Sequence, residues 1–176
     1  VKQALALDHP IVACLLTRLR ERSTSSAEFR LIIRQLTMFL TVEATRDLPT
    51  TAVEIETPLC LTRGQAMATA MAIVPILRAG LGMSETMSEL LPEASIRHIG
   101  LYRDEKTLQP VSYYQKLPEH HPPPIALVAD PMLATGGTAV AVITELKTWG
   151  VADIRFVGIL GAPEGVAALQ AAHPDV

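Results

Sequence analysis

Residues 125–143 read IALVADPMLATGGTAVAVI: an apolar run ends on an acidic residue, passes two glycines and resumes as a second apolar pattern. The run before Asp130 predicts a short buried strand, and the segment after the glycines, through TELKTWG, predicts a helix. A strand end beside a helix start offers backbone amides to an anion. Gly136 and Gly137 allow close backbone approach, and the hydroxyls of Thr135 and Thr138 can donate to phosphate oxygens. The bland alternative makes the glycines ordinary turn residues and Thr138 a helix cap. The stretch has neither the lysine of a GxxxxGK[ST] loop nor a GxGxxG fingerprint, so triphosphate hydrolysis and nicotinamide chemistry lose their usual equipment. Asp130 is placed to accept hydrogen bonds from a sugar diol or to attract a magnesium-bound substrate; its alternative is a turn carboxylate at a strand end.

Outward from this stretch the pattern repeats. AIVPIL, from Ala72, is a strand candidate that Pro75 weakens, LGMSETMSELL a helix and SIRHIGLYR a further strand. Beyond Trp149, DIRFVGILGA supplies a strand and PEGVAALQAAH a helix with Pro163 at an early position. This order predicts an α/β fold, a mostly parallel sheet flanked by helices with right-handed crossovers and a ligand site outside the strand C-termini. On the N-terminal side, Ile11, Val12, Leu15, Leu16 and Leu19 form one helical stripe after Pro10. Phe29, Ile32, Ile33, Leu36 and Phe39 form another, with Ser26 as the expected cap and Leu48–Pro49 as the end. TTAVEIETPL alternates like an extended edge element, while GQAMATA shows no clear period. The expected organisation is a single domain over 1–176, with N-terminal helices in 10–48, a core in 72–176 and an arm in the polar, proline-rich span 103–124.

Composition sets the outer bounds. The 176 residues carry 15 basic and 18 acidic side chains, a net charge of −3, with 49% apolar and 19% charged residues. That excludes a mostly disordered chain and fits one compact unit with a radius of gyration of about 16 Å. Slight acidity argues against a surface that grips duplex phosphates, so nucleic acid is not the expected partner. Cys14 and Cys60, each beside leucine, predict buried free thiols, and no apolar run approaches membrane-spanning length. A cytoplasmic setting follows.

Two arginines sit where a polyanion would need them. Arg78 follows a strand candidate and neighbours Gly80 and Gly82, while Arg103 lies in YRDEK. Each has an ordinary alternative, a solvated or ion-paired side chain, for Arg103 with Asp104 or Glu105. Tyr113 and Tyr114 suit packing at least as well as base stacking. Lys106 and Lys116 could add to an anion field, whereas His98, His120 and His121 lack zinc spacing.

Taken together, HP near the start, STSSAEFR, EATRDLP, VEIETPL, IVPILRAGLGM, HIGLYRDEKTLQPVSYYQKLP, DPMLATGGT and APEG resemble the uracil phosphoribosyltransferase family across nearly the whole chain. The resemblance implies a type I phosphoribosyltransferase-like fold and transfer of 5-phosphoribose from 5-phospho-α-D-ribose 1-diphosphate to uracil, giving UMP and diphosphate in pyrimidine salvage. It implies that Asp130, Pro131, Met132, Leu133, Ala134, Thr135, Gly136, Gly137 and Thr138 form the donor loop. Arg78 and Arg103 would contact the diphosphate, and with Asp130 they make the catalytic set. Mg²⁺ is implied, held mainly by substrate diphosphate and water, as are a homo-oligomer and a GTP effector. The family also carries a GDAGDR-like segment that binds the base; no such motif occurs in these residues, so the positions it supplies are not carried over. The other readings are a regulator that senses the phosphorylated sugar, with an RNA-facing patch, and a purine phosphoribosyltransferase.

Overall fold

The computed structural model describes residues 3–103, 110–115 and 121–176. Two helices open the chain, α1 (Pro10–Arg20) and α2 (Ser26–Ala44), followed by an antiparallel hairpin of β1 (Thr50–Glu56) and β2 (Leu61–Met67). Next come β3 (Met71–Leu77), α3 (Leu81–Leu90), β4 (Ser95–Ile96), β5 (Ile99–Arg103), β6 (Pro110–Gln115) and β7 (Ile125–Ala129). The chain then forms β8 (Met132–Leu133), α4 (Gly137–Trp149), β9 (Asp153–Val157), β10 (Leu160–Gly161) and α5 (Pro163–Ala172). The main sheet runs β6-β5-β3-β7-β9, with β4 beside the start of β3. Its pairings are parallel except that of β6 with β5, as the α/β reading expected.

Alternation along the central strands sorts the core into two layers. Ala72, Val74, Ile76, Ala126 and Val128 face a cluster completed by Ala139, Val142, Ile143 and Leu146 of α4 and Leu169 of α5. Met71, Ile73, Ile125, Leu127 and Ala129 face the other way, onto Met83 and Met87 of α3 and partly buried Ile33, Leu40 and Ala44 of α2. Both faces of β3 and β7 are therefore covered, which is why their sequences read as unbroken apolar runs. Val12, Leu15 and Leu19 of α1 close on Ile32 and Leu36 of α2 as a third cluster.

Pro75 lies within a central strand, and the register explains how. The backbone N–H of Arg97 donates to the carbonyl of Ile73 at 2.8 Å, so Ile73, and with it the backbone of residue 75, points toward the edge that β4 and β5 share. β4 pairs there with Ala72 and Ile73, and β5 with Ile76 and Leu77. Arg97 donates to Ile73 O, but Pro75 has no N–H to return a bond to it, so the ladder is interrupted at 97–98, between β4 and β5. The same break divides SIRHIGLYR, expected as one strand, into β4 and β5.

Several expectations shift. Ser25, not Ser26, caps α2: its hydroxyl accepts from the N–H of Glu28 at 3.2 Å, and Ser26 is the first helical residue. α2 ends at Ala44 rather than near Leu48: Thr45 is its C-cap, and 45–47 form a turn. Of the two stripes, Ile11 and Phe29 are exposed. Cys14 and Cys60 are free but exposed, not buried, since Cys14 lies off the α1 seam and Cys60 sits between the hairpin strands. GQAMATA (64–70), which showed no clear period, supplies the last four residues of the second hairpin strand, Leu61–Met67; like the first strand, it has no buried residue. Within the span read as an arm, 110–115 form β6, and 104–109 and 116–120 lie outside the described residues.

Candidate active site

β5, β3 and β7 are neighbours and end at one edge of the sheet. Arg103 closes β5, Arg78 follows β3 and Asp130 follows β7. The readings of Arg78, Arg103 and Asp130 thus fall at the C-terminal edge where parallel α/β sheets bind ligands. Arg78 is exposed, and the peptide joining it to Leu77 is cis. The turn that carries it folds tightly onto β7. A Cβ built on buried Gly80 would lie inside contact distance of the Ala129 carbonyl oxygen, 2.8 Å from Ile76 N and 3.0 Å from Ile76 O. Glycine at 80 lets the arginine turn press against the residue immediately before Asp130.

Beyond Asp130 the loop is short and braced. β8 pairs in parallel with β10; the N–H of Leu160 donates to Pro131 O at 3.1 Å, and that of Ala162 to Leu133 O at 2.8 Å. Gly136, at φ +81°, is the N-cap of α4 in the left-handed region and gives the helix no side-chain cap. The amides of the first turn are therefore left for a partner outside the helix, at the positive end of its dipole. Thr138, the cap of the bland reading, lies instead inside the first turn. Leu133 turns its side chain into the α4–α5 core, so only its backbone belongs to the loop surface. Met132, Ala134 and Thr135 are exposed, and Pro131, Gly137 and Thr138 are half-buried.

Burial raises the Asp130 carboxyl to about 6, against the opposing pull of a hydrogen bond from the Met132 backbone N–H. A carboxyl so desolvated gains from a cation or from sugar hydroxyls. No three His, Cys, Asp or Glu side chains stand together as a metal site among the described residues. The donor chemistry here, one carboxylate beside an anion-receiving helix start, fits a magnesium ion that takes most of its oxygens from substrate and water. The side chains of 101–120, including Arg103, Asp104, Glu105, Lys106, Tyr113, Tyr114 and Lys116, lie outside the description, as does His120.

Sequence reasoning missed the contribution of Gly165. It lies in the first turn of α5, buried against the loop. The signal available was a glycine two residues after the helix-starting Pro163, where a better helix former would ordinarily stand.

A parallel sheet with β5, β3 and β7 ending on two arginines and an aspartate, and a glycine-capped helix start beside them, is the architecture of a type I phosphoribosyltransferase. The purine phosphoribosyltransferase from Pyrococcus horikoshii shares this fold, with a TM-score of 0.58 over 76% of this chain and 75% of that one at 16% identity, a likeness of fold alone. The family is narrower: residues 6–176 match Uracil phosphoribosyltransferase, and the chain belongs to that family. It is 52% identical to the uracil phosphoribosyltransferase of Dictyoglomus turgidum over 173 residues, 98% of this chain and 84% of the relative. That of Roseiflexus sp. is 49% identical over 99% of this chain and 84% of its own length. The AQ2163 protein from Aquifex aeolicus superposes with a TM-score of 0.89 at 31% identity, covering 98% of this chain and 83% of that one.

Proposed function

We propose that the chain transfers 5-phosphoribose from 5-phospho-α-D-ribose 1-diphosphate to N1 of uracil, releasing diphosphate and forming UMP in pyrimidine salvage. Membership of the uracil phosphoribosyltransferase family supports the reaction. What supports the site is that positions 78, 103 and 130 stand at or just past the ends of the neighbouring strands β3, β5 and β7, with the open start of α4 following Asp130 in the chain.

The first-turn amides of α4, with the hydroxyls of Thr135 and Thr138, hold the 5′-phosphate, and 131–134 carry the backbone between sugar and phosphate. Asp130, as the anion, accepts from the ribose hydroxyls and faces the positive charge that develops on the sugar as the anomeric bond lengthens. Arg78 and Arg103 compensate the departing diphosphate, and no covalent nucleophile is required. The base enters opposite the leaving group, so the anomeric centre inverts. Magnesium, when bound, neutralises diphosphate charge, with Asp130 as the protein carboxylate nearest in role.

The family resemblance further supports GTP as an effector, a homo-oligomer and a cytoplasmic setting. The β1–β2 hairpin favours the oligomer. Ile55, Leu61 and Met67 are exposed there, beside Leu59 at 94% exposure, and a lone two-stranded hairpin is marginal in water. Sedimentation of the purified chain tests this, and a concentration-independent monomer refutes it. The function is tested by UMP formation from uracil and donor, with magnesium omitted, GTP added, and hypoxanthine or guanine as competitors. Preferential transfer to a purine, or no product from a folded chain, overturns the proposal.

A further inference from the structure

We propose that the Leu160–Gly165 segment, and Gly165 above all, positions the donor loop and thereby sets affinity for the 5′-phosphate, a reading that rests on assigning 130–138 to that phosphate. A Cβ built on Gly165 would run into the Ala134 carbonyl oxygen and lie 2.8 Å from Leu133 O and 3.0 Å from Ala134 C. All three atoms are backbone, so no rotamer change relieves the contact. The approach is mutual: a Cβ on Gly136 would stand 2.8 Å from Gly165 O and 3.1 Å from Ala168 Cβ. Two glycines thus face each other across the seam between loop and helix. The bonds from Leu160 N–H to Pro131 O and from Ala162 N–H to Leu133 O fasten the preceding strand to the loop.

α5 is fixed against retreat. His173 Nε2 lies 3.1 Å from Val140 O and 3.2 Å from Thr144 Oγ1 on α4, Lys147 pairs with Asp175 at 2.6 Å, and Leu169 is buried in the shared core. Bulk added at 165 therefore displaces the loop more readily than the helix. The amides that face the phosphate move with it, while the arginine turn after β3 does not. Gly165 is a positioning residue and touches no substrate.

The test compares Gly165→Ala, Ala162→Pro and Thr138→Val by titrating the full chain with ribose 5-phosphate and, separately, with inorganic diphosphate plus magnesium. Proline fits the Ala162 backbone, at φ −78°, and deletes its bond to Leu133 O. Gly165→Ala should weaken ribose 5-phosphate by about 10- to 100-fold, as expected for a displacement on the order of 1 Å, and leave diphosphate affinity unchanged. Ala162→Pro should give the same split more mildly, and it carries the test where thermal melting shows that Gly165→Ala does not fold. Equal weakening of both ligands, or none, in the folded variants overturns the proposal. If Thr138→Val alone weakens ribose 5-phosphate, the loop assignment stands and the positioning role falls. If none of the three variants affects ribose 5-phosphate, the loop assignment falls as well.

Discussion

Replacing Asp130 by asparagine separates the cost of the site from its use. In the ligand-free protein the carboxyl titrates near 6 rather than 3.8 because burial disfavours its charge. The folded state then holds a proton more tightly than the unfolded state, so stability falls as pH rises from about 4 through 6. The contribution is complete below the unfolded value and gone above the folded one. From pH 5 to pH 8 about one pKa unit of this gap is crossed, worth about 1.4 kcal/mol, or about 1 kcal/mol after discounting for partial exposure. For a chain of this size that is about 2–4 °C in Tm. An asparagine side chain does not titrate, so the melting temperature of D130N minus that of the native chain should grow by this amount between pH 5 and pH 8, measured without substrate. Transferase activity of D130N should fall by about 10²-fold or more, the scale of losing one charged group aimed at the transition state. A Tm difference that stays constant with pH would refute the reasoning, since the carboxyl would then be titrating at its ordinary value.

Arg78→Ala should leave stability within about 0.5 kcal/mol, because the side chain is exposed, yet weaken inorganic diphosphate by about 10- to 100-fold in a titration. Gly80→Ala should lower stability by about 1–3 kcal/mol in denaturant unfolding, because its Cβ meets backbone of both β3 and β7. Arg155 donates to Ala44 O at 2.7 Å and to Asp153 at 2.8 Å, and pairs with the exposed Asp47. Arg155→Ala should cost about 1–3 kcal/mol and speed hydrogen exchange at the end of α2, while Asp47→Asn should cost less than about 1 kcal/mol by the same measurement.

What was legible in the sequence had a local cause. The strand before Asp130, the helix after Gly137 and the helix after Pro163 are each written in neighbouring residues, and the structure has all three. The placement of Arg78 and Asp130 followed from strand ends alone. β1 and β2 are equally unburied, so the alternation of Val53 and Ile55 that marked the first strand was not imposed by a core, and β2, which lacks such an alternation, was illegible. Pro75 counted against a strand only while the break between β4 and β5 was unseen. Gly80 and Gly165 answer to carbonyls far along the chain, and the raised Asp130 carboxyl reflects its burial in the folded chain; no spacing rule registers either.

The odd-and-even sorting of β3 and β7 also limits how the chain can change length. One residue inserted between Ile125 and Ala129 would exchange Leu127 and Ala129 with Ala126 and Val128, presenting each helical layer with side chains shaped for the other. It would also turn Asp130 from its present direction. One residue inserted at 57–60, between the hairpin strands, meets no such lattice, because every side chain there is exposed or half-buried. Length variation among related chains should therefore gather at the hairpin tip and vanish from the strands that lead into the site.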